Sequence, residues 1–215
     1  MAGVGKAIDR CPECDASRTL CMCAELPRLN LRTKVALVIH HRELSRSSNT
    51  GLLALRALVN CELRVRGEGR EMLDLSDLLS PQYRTLLFYP CVAAVELDRD
   101  MICQDPRPLQ LIVPDGTWRQ ARKIHSRHHE LKDVPRVKIS TPNNSTFQLR
   151  AQSRVEGMAT LQAIAAALRL IEGDWVGDQL MQFYRARVAR TLNARGVLRE
   201  SSEWEVGYSA GVKNS

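Results

Sequence analysis

The sequence predicts an α/β protein: a mostly parallel β-sheet with helices on both of its faces. Short apolar runs alternate along the chain with segments of helical periodicity, which is the order expected of repeated strand-helix-strand units. Two of the runs, VALVIHH at 35–41 and LQLIVP at 109–114, are apolar at successive positions, as in strands that are buried on both faces of a parallel sheet. The length of 215 residues is enough for one substantial core and predicts one main domain.

Five strands are predicted, each from an apolar run bounded by turn-forming residues. They cover residues 35–41, 61–67, 84–90, 109–114 and 134–140. Ligands of parallel α/β sheets bind outside the carboxyl ends of the strands. Three loops at strand ends are therefore candidates for a functional site: the loop after LLFYP, the loop PDGTW, and the loop STPNNST at 140–146.

Five helical segments separate or follow these strands. They cover residues 49–60, 74–80, 116–131, 157–172 and 177–196. Asn49 is a suitable N-cap for the first helix, and Gly196 is a suitable end for the last. The segment 157–172 is dense in Ala and Leu, two residues of high helix propensity.

The chain is expected to divide into three parts. Residues 1–33 are rich in Cys and Pro and lack sustained periodicity, so they predict a small module that needs support other than a hydrophobic core. Residues 34–196 hold all the predicted strands and helices and form the predicted main domain. Residues 197–215 form a predicted C-terminal tail.

Four cysteines in the N-terminal module have the spacing of a metal site. Cys11, Cys14, Cys21 and Cys23 follow the pattern C-x2-C-x6-C-x-C. Four thiolates can surround one Zn²⁺ tetrahedrally, and a site closed by four protein ligands is structural rather than catalytic. An iron–sulfur site and free thiols are the alternatives. The remaining cysteines lie in or beside apolar strands and are explained by packing: Cys61, Cys91 and Cys103.

The charge and the absence of targeting signals limit the classes of partner. Lys and Arg number 31 and Asp and Glu number 24, which leaves a formal charge of +7 and favours anionic partners. The first ten residues lack the apolar core of a signal peptide, and no apolar run approaches the roughly 20 residues that cross a bilayer. We therefore expect a cytoplasmic protein that makes no membrane contact, with its cysteines reduced.

The stretch PDGTW at 114–118 lies between the apolar run at 109–114 and a helical segment. In one interpretation Asp115 caps this helix, Gly116 permits the turn, and Thr117 is a second capping candidate. In the other, Asp115 is a general base, because a carboxylate at the carboxyl end of a central strand is well placed for chemistry. The two roles are compatible.

The residues of this turn resemble the D-x-T-W signature of the DTW-domain family. Four further stretches resemble that family's pattern, and the resemblance covers roughly residues 10–190. They are the Cys cluster at 11–23, HHRELSRSSNTG at 40–51, LLFYP at 86–90, and the run FQLR to MATLQA at 147–163. One position departs from the pattern, since Gln162 stands where a T-x-E-A motif has Glu. An amide cannot supply a charge, so Gln162 is assigned no acid or base role.

The resemblance implies a tRNA-uridine aminocarboxypropyltransferase with a knotted, SPOUT-like core. Such enzymes move the 3-amino-3-carboxypropyl group of S-adenosylmethionine to N3 of a tRNA uridine, giving acp3U and 5′-methylthioadenosine. S-adenosylmethionine and tRNA are thus the implied partners, and we expect a monomer. Asp115 is the candidate catalytic residue, as the base that takes the proton from N3.

The candidate cofactor-binding residues lie at the three strand-end loops and at the start of the long helix, with ordinary strand-end packing as the alternative for each. They are Leu87, Phe88, Tyr89, Pro90, Val113, Pro114, Gly116, Thr117, Ser140, Thr160 and Leu161.

The candidate substrate-binding residues are cations and hydrogen-bond donors near these loops. They are Arg46, Ser48, Asn49, Thr50, Trp118, Arg119, Arg122, Lys123, Arg150 and Arg154. A longer basic run at 119–138 and the arginines of the last helix, 185, 187, 190 and 195, are expected either to neutralise tRNA phosphates or to be ordinary solvated charges.

Two other functions stay open at this point. The first is methyl transfer from the same cofactor to RNA, because the residues alone do not distinguish which carbon of the sulfonium reacts. The second is a zinc-stabilised RNA-binding protein without catalysis. Composition and pattern without the resemblance predict only a basic α/β nucleotide-binding domain.

Overall fold

The computed structural model describes residues 9–14, 16–46, 48–69, 73–140 and 158–196. Its six strands form one sheet in the order β2-β1-β5-β3-β6-β4, and every neighbouring pair is parallel. The strands are β1 (Lys34–His40), β2 (Cys61–Arg66), β3 (Arg84–Phe88), β4 (Val95–Glu96), β5 (Leu109–Asp115) and β6 (Arg136–Lys138). The predicted parallel α/β sheet is confirmed.

Helices cover both faces of this sheet, as predicted. They are α1 (Gly51–Ala57), α2 (Arg99–Cys103), α3 (Trp118–Arg127), α4 (Thr160–Glu172) and α5 (Asp174–Ala194). One face packs against α1, α4 and α5 through side chains such as Leu37, Leu111 and Leu168. The other face packs against α3 and two short 3₁₀ turns through side chains such as Val38, Ile112 and Ile124.

Several element boundaries differ from the sequence prediction for local reasons. The helix predicted over 116–131 ends at Arg127, because His128 has an extended backbone, and a 3₁₀ turn over His129–Leu131 follows it. The helix predicted over 74–80 is only a 3₁₀ turn, Ser76–Leu78. The last helix begins at Asp174 rather than at 177, since a single glycine, Gly173 at φ +115°, separates it from α4.

The order of the strands places β5 in the middle of the sheet, between β1 and β3. In the register of β1 and β5, Ile39 lies opposite Asp115. In the register of β3 and β6, Phe88 lies opposite Val137. Because all the strands are parallel, the ends of β1, β5, β3 and β6 meet at one edge of the sheet, where ligands of such sheets bind.

The described part of the N-terminal module rests on the main sheet domain. Met22 and Leu29 are each 5% exposed and belong to the same core as β1 and α5. Leu29 also forms a parallel bridge with Leu58, just after α1. The division into a module, a main domain and a tail stays a prediction.

Several expectations fall on residues outside the described ranges, among them Arg150, Arg154 and the candidate loop from residue 141 to residue 146. The predicted tail, 197–215, is another. The knotted, SPOUT-like connection stays an expectation. No helix in the described ranges is both long enough and apolar enough to cross a membrane.

Candidate active site and metal centre

Asp115 is the last residue of β5, and its carboxylate is held from two sides. The residue is only 4% exposed. Asn49 Nδ2 donates a hydrogen bond to Asp115 Oδ2 at 2.6 Å. Thr160 Oγ1 donates another to Asp115 Oδ1. A buried carboxylate needs such donors, because an unpaired charge is costly to bury.

These contacts join the starts of two helices to the central strand. Asn49 Oδ1 accepts a hydrogen bond from Leu52 N at 3.0 Å, which fixes Asn49 against the first turn of α1. Thr160 is the first residue of α4. Thr50 Oγ1 adds a direct link between the helices, since it accepts from Leu161 N at 3.3 Å. We call Asn49, Thr50, Asp115 and Thr160 the Asp115 clasp.

Gly51 completes the clasp by its lack of a side chain. A Cβ atom at this position would lie 2.7 Å from Asp115 Oδ2, 3.0 Å from Asp115 Cγ and 3.2 Å from Leu37 Cδ1. The glycine therefore lets the first turn of α1 lie directly against the carboxylate. Sequence analysis did not single out Gly51, and its only signal was its place after a polar run at a predicted helix start.

The turn after Asp115 is built by the next two residues. Gly116 has φ +143°, a conformation that favours glycine. Thr117 is the N-cap of α3 and forms a capping box with Gln120: Gln120 N donates to Thr117 Oγ1 at 3.3 Å, and Thr117 N donates to Gln120 Oε1 at 2.6 Å. The interpretation of Asp115 as the helix cap is therefore wrong, and the second capping candidate, Thr117, is the cap.

Trp118 contributes to a small aromatic group beside this turn. It is half-buried, and its ring centroid lies 6.4 Å from that of Tyr89. Tyr89 stacks on His125 at 5.1 Å. Arg136 Nε donates to His125 Nδ1 at 3.2 Å, so the neutral imidazole carries its proton on Nε2. Burial, followed by the charges of Arg136 and Arg122, lowers the pKa of His125 and keeps it neutral.

The candidate cofactor-binding residues divide into core residues and edge residues. Leu87, Phe88, Tyr89, Val113 and Leu161 are buried core residues. Pro114 and Gly116 are half-buried, while Pro90 and Ser140 are exposed. Ser140 Oγ donates to Glu96 Oε2 at 2.8 Å. The set surrounds the ends of β3, β5 and β6, and its contact with a cofactor stays a prediction.

The candidate substrate-binding residues lie in three places. Asn49 and Thr50 belong to the clasp. Arg46 forms an ion pair with the buried Glu43, with Arg46 Nε and Glu43 Oε1 3.3 Å apart, and Ser48 is half-buried next to the clasp. On α3, Arg119 and Arg122 are exposed and Lys123 is half-buried. Arg150 and Arg154 lie outside the described residues.

Several members of the longer basic runs have structural roles instead. His128 is 4% exposed and lies between Glu130 Oε1, 2.8 Å from its Nδ1, and Arg66 Nε, 3.3 Å from its Nε2. Arg187 is 7% exposed and donates to the carbonyl of Leu20. These contacts occupy the two side chains within the protein, so they are not free cations for phosphate binding.

The four predicted metal ligands come together. The sulfur atoms of Cys11, Cys14, Cys21 and Cys23 all lie within 4.8 Å of one another. Cys11 and Cys23 sulfurs are 3.7 Å apart, and Cys14 and Cys21 sulfurs are 3.9 Å apart. Thiolates bound tetrahedrally to one ion at 2.3 Å lie about 3.8 Å apart. The cluster can therefore hold one metal ion.

The pKa values of two of these thiols are shifted in opposite directions. Hydrogen bonds from the backbone of Cys14 and Glu13 lower the pKa of Cys11 to about 6. The Arg56 hydrogen bond lowers the pKa of Cys23, but burial and the three neighbouring thiols together raise it to about 12. Outside the cluster, burial raises the pKa of Cys61 to about 12, as expected for a packed thiol.

Three arginines from the main domain contact the metal-binding segment. Arg56, near the end of α1, donates through Nη2 to Cys23 Sγ at 3.1 Å. Arg187 and Arg190 of α5 donate to the carbonyls of Leu20 and Cys21. Sequence analysis missed Arg56, because nothing in a seven-residue helix shows that one of its arginines meets a cysteine 33 positions earlier.

Three relatives found by comparison with known proteins share one name. A tRNA-uridine aminocarboxypropyltransferase 2 of Macaca fascicularis is 25% identical over 199 residues, which cover 90% of this chain and 67% of the relative. Its namesake in Mus musculus is 26% identical over 203 residues, with coverage of 90% and 67%. That of Drosophila melanogaster is 28% identical over 172 residues, with coverage of 76% and 67%. No solved structure matches the chain.

The family assignment rests on a longer match. The model of the DTW domain matches residues 8–192, which include the Cys cluster, the whole sheet and the Asp115 clasp. The chain therefore belongs to the DTW domain family.

Proposed function

We propose that the protein is a tRNA-uridine aminocarboxypropyltransferase that uses S-adenosylmethionine and forms acp3U. The Asp115 clasp carries this proposal, because it fixes a buried carboxylate at the ligand-binding edge of the sheet and lies within the D-x-T-W signature. The names of the three relatives support the reaction class.

S-adenosylmethionine supplies an electrophilic carbon on a sulfonium, and the residues of the edge have the chemistry to bind it. The buried side chains of Phe88, Val113 and Leu161 offer an apolar wall for an adenine ring. Helix α4 has 13 residues, and its N-cap, Ala159, has no capping side chain, so the positive end of the helix favours the carboxylate of the ligand. The carbon that reacts is the one that the site aligns with N3.

Asp115 is the proposed proton acceptor. As N3 of the uridine bonds to the terminal carbon of the aminocarboxypropyl group, the bond from that carbon to sulfur breaks and 5′-methylthioadenosine leaves. The N3 proton passes to Asp115. Hydrogen bonds from Asn49 and Thr160 fix the direction of the carboxylate, and a carboxylate oxygen has a second lone pair for the proton.

A positioning role for Asp115 is the second candidate, because both carboxylate oxygens already hold helix starts. The two roles separate in variants. If Asp115 is the base, we expect Asp115→Asn to lower the transfer rate by about 10²–10⁴-fold while S-adenosylmethionine still binds. A positioning role alone predicts that Thr160→Val and Asp115→Asn weaken ligand binding to the same extent, with Thr160→Ser as the control that keeps the hydroxyl. Near-wild-type transfer by Asp115→Asn with binding intact excludes the base.

The metal ion is proposed to be zinc. Four sulfurs within 4.8 Å of one another match the ligand spacing of one tetrahedral ion, whereas an iron–sulfur cluster spreads its cysteines over several iron atoms. Because all four ligands are thiolates, the ion would stabilise the N-terminal module and would not contact the substrate.

The reaction is tested with labelled S-adenosylmethionine and unmodified tRNA. One sample carries the label in the carboxyl carbon and the other in the methyl group, with Asp105→Asn as a control variant at the other edge of the sheet. Entry of carboxyl label into tRNA supports the proposal. Entry of methyl label alone identifies a methyltransferase, and entry of neither label identifies an RNA-binding protein; both results overturn the proposal.

A further inference from the structure

We propose that Arg56 is a positioning residue that couples the metal centre to the Asp115 clasp through helix α1. Neither the predicted metal ligands nor the predicted site residues included Arg56. Its side chain is 28% exposed, and Nη2 donates to Cys23 Sγ at 3.1 Å. A thiolate that binds a metal keeps its sulfur in one place, so this hydrogen bond gives the end of α1 a fixed partner.

The opposite end of the same helix forms the clasp. Gly51, the first residue of α1, lies against the Asp115 carboxylate. Asn49 holds the first turn of α1 and the carboxylate at the same time. Helix α1 has seven residues, so its two ends are about 10 Å apart. A short rigid element thus contacts the metal-binding segment at one end and the candidate active site at the other.

A second set of contacts joins the same end of α1 to the chain that follows the cysteines. Leu29 N donates to Ala57 O at 2.8 Å, and Val59 N donates to Leu29 O at 2.9 Å. Leu29 is 5% exposed and part of the core. The end of α1 is therefore attached both to a metal ligand and to the segment that the metal would order.

The expected consequence is a coupling of the two sites. Arg56 Nη2 also lies 4.0 Å from Oε2 of the exposed Glu13. Loss of the metal frees Cys23 and weakens the hydrogen bond that Arg56 donates to it, so α1 is less firmly held and the clasp loosens. Coupling between two binding sites is reciprocal: if the metal strengthens ligand binding at the clasp, the ligand strengthens metal binding by the same factor.

The first test measures amide hydrogen exchange of the full wild-type chain, loaded with zinc and after zinc is removed by a chelator under reducing conditions. We expect exchange in residues 51–57 to become faster by about tenfold without zinc. Exchange in α3, on the other face of the sheet, serves as the internal control and should rise less. Unchanged exchange in 51–57, or an equal rise in α3, would overturn the proposal.

The second test rests on the proposed function, because it uses S-adenosylmethionine. The equilibrium affinity for zinc is measured by competition with a chromogenic chelator, with and without this ligand, for wild type, Arg56→Gln and the control Arg64→Gln. Arg64 pairs with Asp77 and Glu62 and contacts no cysteine. We expect the ligand to raise the affinity for zinc by about fivefold or more in wild type and Arg64→Gln, and the effect to be lost in Arg56→Gln.

Arg56→Gln should also bind zinc about 10–100-fold more weakly, as other outer-shell substitutions do. Equal coupling in Arg56→Gln and Arg64→Gln overturns the role of Arg56. If zinc-loaded wild type does not bind S-adenosylmethionine at all, the proposed function fails, and the exchange measurement, which needs neither ligand nor variant, still decides whether metal and α1 are coupled.

Discussion

Gly51 decides how closely helix α1 approaches the carboxylate of Asp115. The position is fully buried, and an added Cβ would overlap Asp115 Oδ2 at 2.7 Å. The neighbouring Leu37 leaves no room on the other side, since the Cβ would lie 3.2 Å from its Cδ1. The close approach of α1 to the carboxylate therefore requires glycine, the only residue that lacks a side chain.

We predict that Gly51→Ala destabilises the fold by about 1–3 kcal/mol, the usual cost of overpacking a core. It should also weaken ligand binding, because the clasp must open to admit the methyl group. Thermal unfolding and S-adenosylmethionine binding measure the two effects. Val59→Ala, at a position that is 65% exposed near the end of the same helix, is the control. A melting temperature equal to that of wild type contradicts the prediction.

The hydroxyl of Thr160 is the second single group on which the clasp depends. Thr160→Val keeps the shape but leaves Asp115 Oδ1 without this donor, and we expect a loss of about 1–3 kcal/mol of stability. Denaturant unfolding measures it, and Thr160→Ser should recover most of the loss. A Thr160→Val variant as stable as wild type would contradict this role of the hydroxyl.

Helix α3 is the element that presents cations to the edge of the sheet. It begins directly after the candidate active-site turn, and its sequence, WRQARKIHSR, contains no acidic residue. Arg119 and Arg122 are exposed, and Ala121 and Ile124 bury the other side of the helix against the sheet. The helix therefore fixes a basic surface next to Asp115, where the phosphates beside a target uridine would lie.

We predict that replacing Arg119 and Arg122 together by Ala weakens tRNA binding and lowers the slope of log affinity against log salt by about two, one for each lost phosphate contact. S-adenosylmethionine binding should not change. Filter binding over a salt series provides the measurement. The control is Arg107→Ala, which removes one cation that pairs with Asp105 before β5. An unaltered salt slope in the double variant would show that Arg119 and Arg122 of α3 do not bind tRNA phosphates.

The helices and strands were predicted correctly where the local sequence pattern is sufficient to identify them. The continuous apolar runs of β1 and β5 identified buried parallel strands because both faces of these strands are covered. The two-residue β4 has no pattern to detect, since Val95 and Glu96 are both exposed. The end of α3 was overestimated, because the helical periodicity continues through Leu131 although the backbone at His128 leaves the helix.

Part of the candidate site was also predictable from local sequence patterns. The strand-end rule and the D-x-T-W turn pointed to Asp115, and the cysteine spacing pointed to the metal centre. The partners of Asp115 are 66 and 45 residues away in sequence, so Asn49 and Thr160 meet it only through the sheet order. Asn49 was expected to bind substrate and cap a helix; its contact with the carboxylate has no local signal.

At the scale of the whole molecule, the N-terminal module is held by the main domain as well as by its metal. Arg187 and Arg190 bind its carbonyls from α5, and Met22 enters the main core. The long last helix thereby connects the metal-binding segment to the face of the sheet that also carries α4. Module and sheet are expected to respond together when the metal is lost.

We predict that removing zinc lowers the melting temperature of the whole chain, and that added zinc restores it. Zinc present at 100–1,000 times its dissociation constant would contribute about 3–4 kcal/mol. Cys14→Ser should reproduce the loss, whereas Cys103→Ser, at an exposed cysteine outside the cluster, should not. Scanning calorimetry with and without chelator measures the effect. Equal melting of the Cys14 and Cys103 variants contradicts a metal centre at these four thiols.

The central claim is that this chain transfers the aminocarboxypropyl group at the Asp115 clasp. Its most direct test is the transfer of label from carboxyl-labelled S-adenosylmethionine to tRNA, measured in parallel for wild type and Asp115→Asn. We predict that wild type labels uridine and that Asp115→Asn is slower by about 10²–10⁴-fold, with S-adenosylmethionine bound by both. Carboxyl label absent from the tRNA with wild type, or present at equal rates with both proteins, would contradict the account.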